Sequence, residues 1–175
     1  MKYLAAIFVL ILGLTGCSKQ NKPTTPSIMF DESVYQELRA GLRADLPEDY
    51  LAFMRSYSGE PPEPNSFWVV RDDWGSGIDS LYLMARSKDH QSMLIALDWN
   101  GLPLKPGLIP IGGDGSFGYI LMSVRPEDHG SIHYCCTWSD DGKTDVFGSQ
   151  GFWKIADSFS DFIKNLGEVP DDDEE

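Results

Sequence analysis

The stretch Leu102–Val124 constrains the fold more than any other part of this 175-residue chain. Two short apolar runs, Leu108–Ile111 and Phe117–Val124, flank Gly112-Gly113-Asp114-Gly115. Glycine reaches positive φ without steric cost and the Asp114 carboxylate can bond nearby backbone, so the centre predicts a hairpin turn. Pro106-Gly107 starts the first run. Pro110, which lacks an N–H, confines that run to an edge or an irregular place in a sheet. In the second run Ile120, Met122 and Val124 fall on one face, and Phe117, Tyr119 and Leu121 on the other. That pattern predicts a central strand covered on both sides.

Before the hairpin, Asp31 suits the cap of a helix running to about Arg43, with Val34, Leu38 and Leu42 on one stripe. Pro47 suits the first turn of a second helix, with Glu48 and Asp49 against its positive end. Tyr50, Phe53, Met54 and Tyr57 form its core stripe, and Gly59 is placed to stop it. Phe67–Val70 reads as a strand, Arg71–Gly77 as a turn or short loop, and Ile78–Met84 as a further strand of poor alternation. Met93–Leu97 is an unbroken apolar run that either a helix or a strand could bury.

After the hairpin, Ser131–Trp138 alternates cleanly, with Ile132, Tyr134, Cys136 and Trp138 facing inward and Ser131, His133, Cys135 and Thr137 outward. Asp140-Asp141-Gly142 reads as a turn into a short strand at Thr144–Phe147. Ser158, with Asp161 three residues on, opens a last helix that buries Phe159, Phe162, Ile163 and Leu166 and is capped by Gly167. Asp171–Glu175 is a solvated acidic tail.

Four of these pieces, in this order, resemble the SUKH superfamily, the Smi/Knr-like proteins that are mostly bacterial immunity proteins. They are Leu46-Pro47, the hairpin Leu108–Gly118, the strand start Gly130-Ser131-Ile132-His133-Tyr134, and Ala156–Ile163. The resemblance spans Asp45–Leu166. It implies an α+β fold in which helices at the N- and C-terminal ends pack against a twisted, largely antiparallel sheet, and it inclines Met93–Leu97 toward helix. It further implies a protein that binds and blocks a toxin without chemistry of its own. The resemblance offers no toxin-contact motif whose residues could be placed on this chain.

The N-terminus reads as a processing segment. Lys2 supplies positive charge, Leu4–Leu14 is an apolar run too short to span a bilayer comfortably, and Leu14-Thr15-Gly16-Cys17 resembles the bacterial lipobox. Residues 1–16 are then a signal peptide and Cys17 carries lipid. Residues 17–30 hold the lipidated cysteine and a flexible tether, 31–167 the globular domain and 168–175 the acidic tail. Ser18–Ile28 of the tether, eleven residues, reaches at most about 40 Å. Several acyl chains make such anchoring effectively permanent. Ser18 follows the lipidated residue where an Asp signals inner-membrane retention, so the expected location is the envelope, at the outer membrane facing the periplasm.

A net charge of −13 disfavours nucleic acid, which calls for clustered Lys and Arg, and favours a basic protein partner through steering. Such an acidic surface also serves solubility alone. Asp72, Asp73 and Trp74, with Asp140 and Asp141, are the candidate partner contacts: a Trp anchor in an acidic rim fits a cationic protein. The rival reading of these acids is a set of solvated turns.

Catalysis finds little footing. His129, His133, Cys135 and Cys136 crowd one hairpin, but only His133 and Cys135 share a strand face, short of the four ligands of a structural zinc site. Adjacent Cys135 and Cys136 suit two thiols, one buried, better than a strained ring, with Cys135 the candidate for intermolecular bonding. Ser116 lies in a hairpin rather than a strand-to-helix elbow, and no carboxylate pair is marked out. The expectation is a non-enzymatic binder without cofactor or metal. Its partner is a basic toxin or, alternatively, a housekeeping envelope protein held by an adaptor. An envelope hydrolase is the remaining alternative.

Overall fold

The computed structural model describes residues 30–70, 74–86, 92–97, 105–116, 118–136 and 151–167. Asp31 caps α1 (Glu32–Leu42) by accepting the Ser33 N–H at 2.8 Å, one of the donors that a helix start leaves over. Val34, Tyr35 and Leu38 are buried on one face, and Arg43 ends the helix in the left-handed region at φ 54°. Pro47 precedes α2 (Glu48–Ser56), which buries Tyr50, Leu51 and Met54. The helix stops before Gly59. Tyr57 already turns extended and stacks its buried ring on Phe53, 5.5 Å between centroids.

β1 (Ser66–Val70) pairs antiparallel with β2 (Trp74–Gly77) in a two-stranded sheet. This corrects the loop expected over residues 71–77: two glycines read as punctuation, but pairing with β1 holds Trp74–Gly77 extended. The strand expected over Ile78–Met84 shrinks to β3 (Ser80–Leu81). Asp79 is exposed and Ser80 half-buried, but Ile78 and Leu81–Ala85 are all buried, so exposed and buried positions do not alternate. α3 (Met93–Leu97) is helical, which decides the ambiguous apolar run.

The main sheet is a five-stranded antiparallel meander in chain order: β3, β4 (Leu108–Gly113), β5 (Gly118–Ser123), β6 (Ile132–Cys136) and β7 (Phe152–Ala156). β5 is its middle strand, as its two apolar faces require. Pro110 sits where the β4–β5 register shifts, and β3 reaches only Gly112 and Gly113, so no ladder bond needs the missing N–H. β7 was not foreseen. The strand expected over Thr144–Phe147, the turn Asp140–Gly142 and the acidic tail lie outside the described residues.

Ser158 opens α4 (Phe159–Lys164), its hydroxyl accepting the Asp161 N–H at 3.0 Å. Asn165 rather than Gly167 closes the helix, and Gly167 bridges back to β1, its N–H donating to the Ser66 carbonyl at 2.9 Å. One core joins residues of all four helices and β1 to Ile109, Ile111, Ile120, Met122, Ile132 and Tyr134 on one sheet face. The other face has its own cluster: buried Leu108, Leu121 and Cys135 with Tyr119 and Phe152 against them. Ser131, His133 and Cys135, expected to face solvent, are therefore buried. No helix among the described residues is long and apolar enough to cross a membrane.

Candidate partner-binding face

The Asp114 carboxylate organises the turn between β4 and β5. Oδ1 accepts the Ser116 N–H (2.9 Å), the Ser116 hydroxyl (3.0 Å) and the Gly118 N–H (2.9 Å). Oδ2 accepts the Tyr134 hydroxyl at 2.6 Å and the Ser76 hydroxyl at 3.4 Å. Burial pushes the Asp114 pKa up, but the hydrogen bonds from Tyr134, Ser116 and Gly118 outweigh it and hold the group below the ordinary carboxylate range. Burial first, and then the hydrogen bond to Asp114 and its charge, raise the Tyr134 phenol above its usual value. A Cβ on Gly118 would lie 2.0 Å from the Tyr134 hydroxyl oxygen and 2.3 Å from Oδ2, so this close approach requires glycine.

Tyr134 carries the geometry outward. Its ring meets Phe67 at 5.4 Å, Trp74 at 5.6 Å and Trp153 at 6.3 Å, and Trp74 and Trp153 lie 5.3 Å apart. Trp74 is 39 % exposed, the one exposed large hydrophobic side chain among the described residues. β1, which pairs with Trp74's strand, and β7, which carries Trp153, frame a cavity of about 600 Å³. It is lined by Phe67, Trp68 and Val69 of β1, Lys154 and Ile155 of β7, and Phe162 and Asn165 of the C-terminal helix turn. An exposed indole backed by fixed rings can bury apolar area against another protein with little loss of side-chain freedom.

Of the residues singled out as contacts, Trp74 lies on this face. Asp72, Asp73, Asp140 and Asp141, with Cys17 and Trp138, fall outside the described residues. Asp114 was read only as a turn residue. Its acceptor role toward Tyr134 had a signal in the paired motifs Gly-Asp-Gly and Ile-His-Tyr, which only pairing of β5 with β6 brings together.

The other chemistry-bearing residues scatter or are spoken for. His129 Nε2 lies 2.9 Å from the Asp45 carbonyl. His133 Nε2 approaches both the Ser131 hydroxyl (2.9 Å) and Asp128 Oδ2 (3.3 Å). A serine–histidine–acid relay needs its two partners on different ring nitrogens, and here both converge on one. His133 Nδ1 is buried without a hydrogen-bond partner, and burial pushes the imidazole pKa down. Asp128 is held far below the carboxylate range, chiefly by Arg125, with Ser123 and Ser131 also donating to it. Cys135 is buried and its thiol is pushed up to about 12, which corrects its choice as the thiol for intermolecular bonding; the half-buried Cys136 is the more accessible. Among the described residues no three of His, Cys, Asp and Glu are grouped to hold a metal ion.

The four sequence pieces of the resemblance thus meet in space. Pro47 packs close to Gly130, the Asp114 turn is bonded to Tyr134, and Asp49 of α2 reaches the first turn of α4. The sequence profile of the SMI1 / KNR4 family (SUKH-1) matches residues 30–165. The chain belongs to that family. The match covers every described element from α1 to α4, the hairpin and β6 included. No curated protein matches the chain closely enough to add to this.

Proposed function

We propose that this SUKH-family chain is an immunity protein that binds and neutralises a basic toxin protein stoichiometrically, without catalysis, while anchored to the cell envelope through lipid on Cys17. The observation that carries the reading is Trp74, exposed yet braced by the Trp153 and Tyr134 rings. A net charge of −13 supports a cationic partner, and family membership supports an immunity role. The apolar run ending in Leu14-Thr15-Gly16-Cys17 supports the anchor.

The test is calorimetric titration of the mature chain with the purified toxin domain encoded beside its gene. Saturation near one to one, with Trp74→Ala weakening binding by tenfold or more, is the expected result. Protection of cells at strongly substoichiometric amounts points instead to an enzyme. A stable complex with a housekeeping envelope protein, and none with the toxin, points to an adaptor.

A further inference from the structure

The two oxygens of Asp114 do different work. Oδ1 receives all three bonds that shape the turn, from the Ser116 N–H, the Ser116 hydroxyl and the Gly118 N–H. Oδ2 receives none of these and points to Tyr134 and Ser76, on β6 and β2. Ser76 and Trp74 are two positions apart on β2 and so project from the same side of the strand, the side that meets Tyr134. A strand of four residues in a two-stranded sheet holds its orientation poorly on its own. The Trp74 end of β2 pairs with Val70 across a register shift, which loosens it further. Among the described residues, the Trp74 contacts with the Tyr134 and Trp153 rings and the Ser76 bond to Oδ2 tie this end to the main sheet, and the Tyr134 bond to the same oxygen holds one of those rings.

We propose that Asp114 is a positioning residue for the partner-binding face: through the Tyr134 and Ser76 hydroxyls, its outward oxygen holds the Trp74 ring in the orientation that a partner meets. The inference deepens the reading of Trp74 as a contact and rests on it for its biological meaning. The mechanical coupling itself belongs to the unbound chain. A charge-assisted bond from a buried phenol is short and directional, so it fixes the Tyr134 ring on which the Trp74 edge rests. Because Oδ1 and Oδ2 are separate, the turn can survive when the coupling is removed.

The experiment uses the full chain labelled with 5-fluorotryptophan, with the Trp74 resonance assigned from Trp74→Phe. Tyr134→Phe and Ser76→Ala each remove one bond to Oδ2 and leave the three bonds to Oδ1. Each is expected to shift or split the Trp74 fluorine signal by more than its linewidth. Adding Asp114→Asn to Tyr134→Phe is expected to move it less than Asp114→Asn does alone, because part of the route is already cut. Gly115→Ala is the control. It strains the same turn, at φ 75° and against Asp79, removes neither hydroxyl that donates to Oδ2, and should lower the melting temperature while leaving the Trp74 signal in place. An unmoved signal in both single variants overturns the proposal, as does an equal displacement in Gly115→Ala. Unchanged toxin binding by Trp74→Ala overturns the functional reading instead, whatever the fluorine spectra of the free chain show.

Discussion

Asp49 of α2 accepts the backbone N–H of Ser160, 111 positions later, at 2.8 Å. Its other oxygen accepts the Tyr50 N–H at 2.8 Å, so one carboxylate serves the starts of both α2 and α4. Behind it, Tyr50 and Phe53 of α2 meet the Phe159 ring of α4 at 5.0 and 5.1 Å. Removing the acceptor leaves a helix-start donor unserved. Asp49→Ala should therefore cost about 1 kcal/mol in urea unfolding, and Asp49→Asn less. A loss within error of zero shows that solvent serves Ser160 equally well.

Two glycine-to-alanine changes should have opposite signs. At Gly118 a Cβ meets Tyr134 and Asp114 at 2.0 and 2.3 Å, and one of the bonds around Oδ2 must give way. Gly118→Ala should destabilise by about 3 kcal/mol or prevent folding. At Gly41, inside α1, a Cβ meets nothing within 4 Å. Gly41→Ala should stabilise by about 0.5 kcal/mol, since alanine has less chain entropy to lose and favours helix. Melting temperatures of the two variants check both signs.

Stability should fall in two separate steps as pH drops. His133 has a folded pKa below its unfolded value of about 6.5. Burial lowers it first; facing Asp128 raises it in part, and Arg125 and Lys154 lower it again. Below about pH 6.5 the unfolded chain takes up a proton that the folded chain refuses, so stability declines there until the folded pKa is reached. Asp114 and Asp128, both depressed, contribute stability that is present above about pH 4 and lost as pH falls toward their folded values. Urea unfolding between pH 7.5 and 5 should show the first step, and His133→Gln should abolish it. Persistence of that step in the variant assigns it to another group.

The partner's charge should appear in kinetics. Exposed charges are screened beyond about 8 Å at physiological salt, so the acidic surface speeds encounter more than it tightens the complex. Stopped-flow association with the toxin domain should slow severalfold between low and physiological salt, with dissociation little changed. Neutralising Asp72 and Asp73 together should flatten that dependence. An acidic partner, or an association rate indifferent to salt, removes the steering argument.

Anchoring has its own check. Cys17→Ala should abolish incorporation of a palmitate analogue and leave the precursor uncut before residue 17, whereas retained label defeats the lipobox reading.

Local chemistry made much of the fold readable. Asp31 and Ser158 act on donors two and three residues ahead, so their helix starts were visible in short windows. The Asp114 turn and the two-sided strand after it were visible for the same reason. Trp74–Gly77 was not, because a strand with two glycines has no preference of its own and exists through its pairing with β1. His133 and Cys135 misled in a different way: strand alternation separates the two faces of β6 correctly but says nothing of what covers each.

By itself, then, the sequence determined the order and kind of most elements, the family hairpin and the acidic character of the chain, since these depend on neighbours in sequence and on composition. The tertiary structure alone decided that β5 and β6 lie side by side, which sets Tyr134 against Asp114, and that the β1–β2 pair folds over them to brace Trp74 on Tyr134 and Trp153. The reason is physical. A hydrogen bond between residues twenty positions apart, or a ring contact spanning nearly eighty, depends on sheet register and packing, and no local pattern in the chain encodes those.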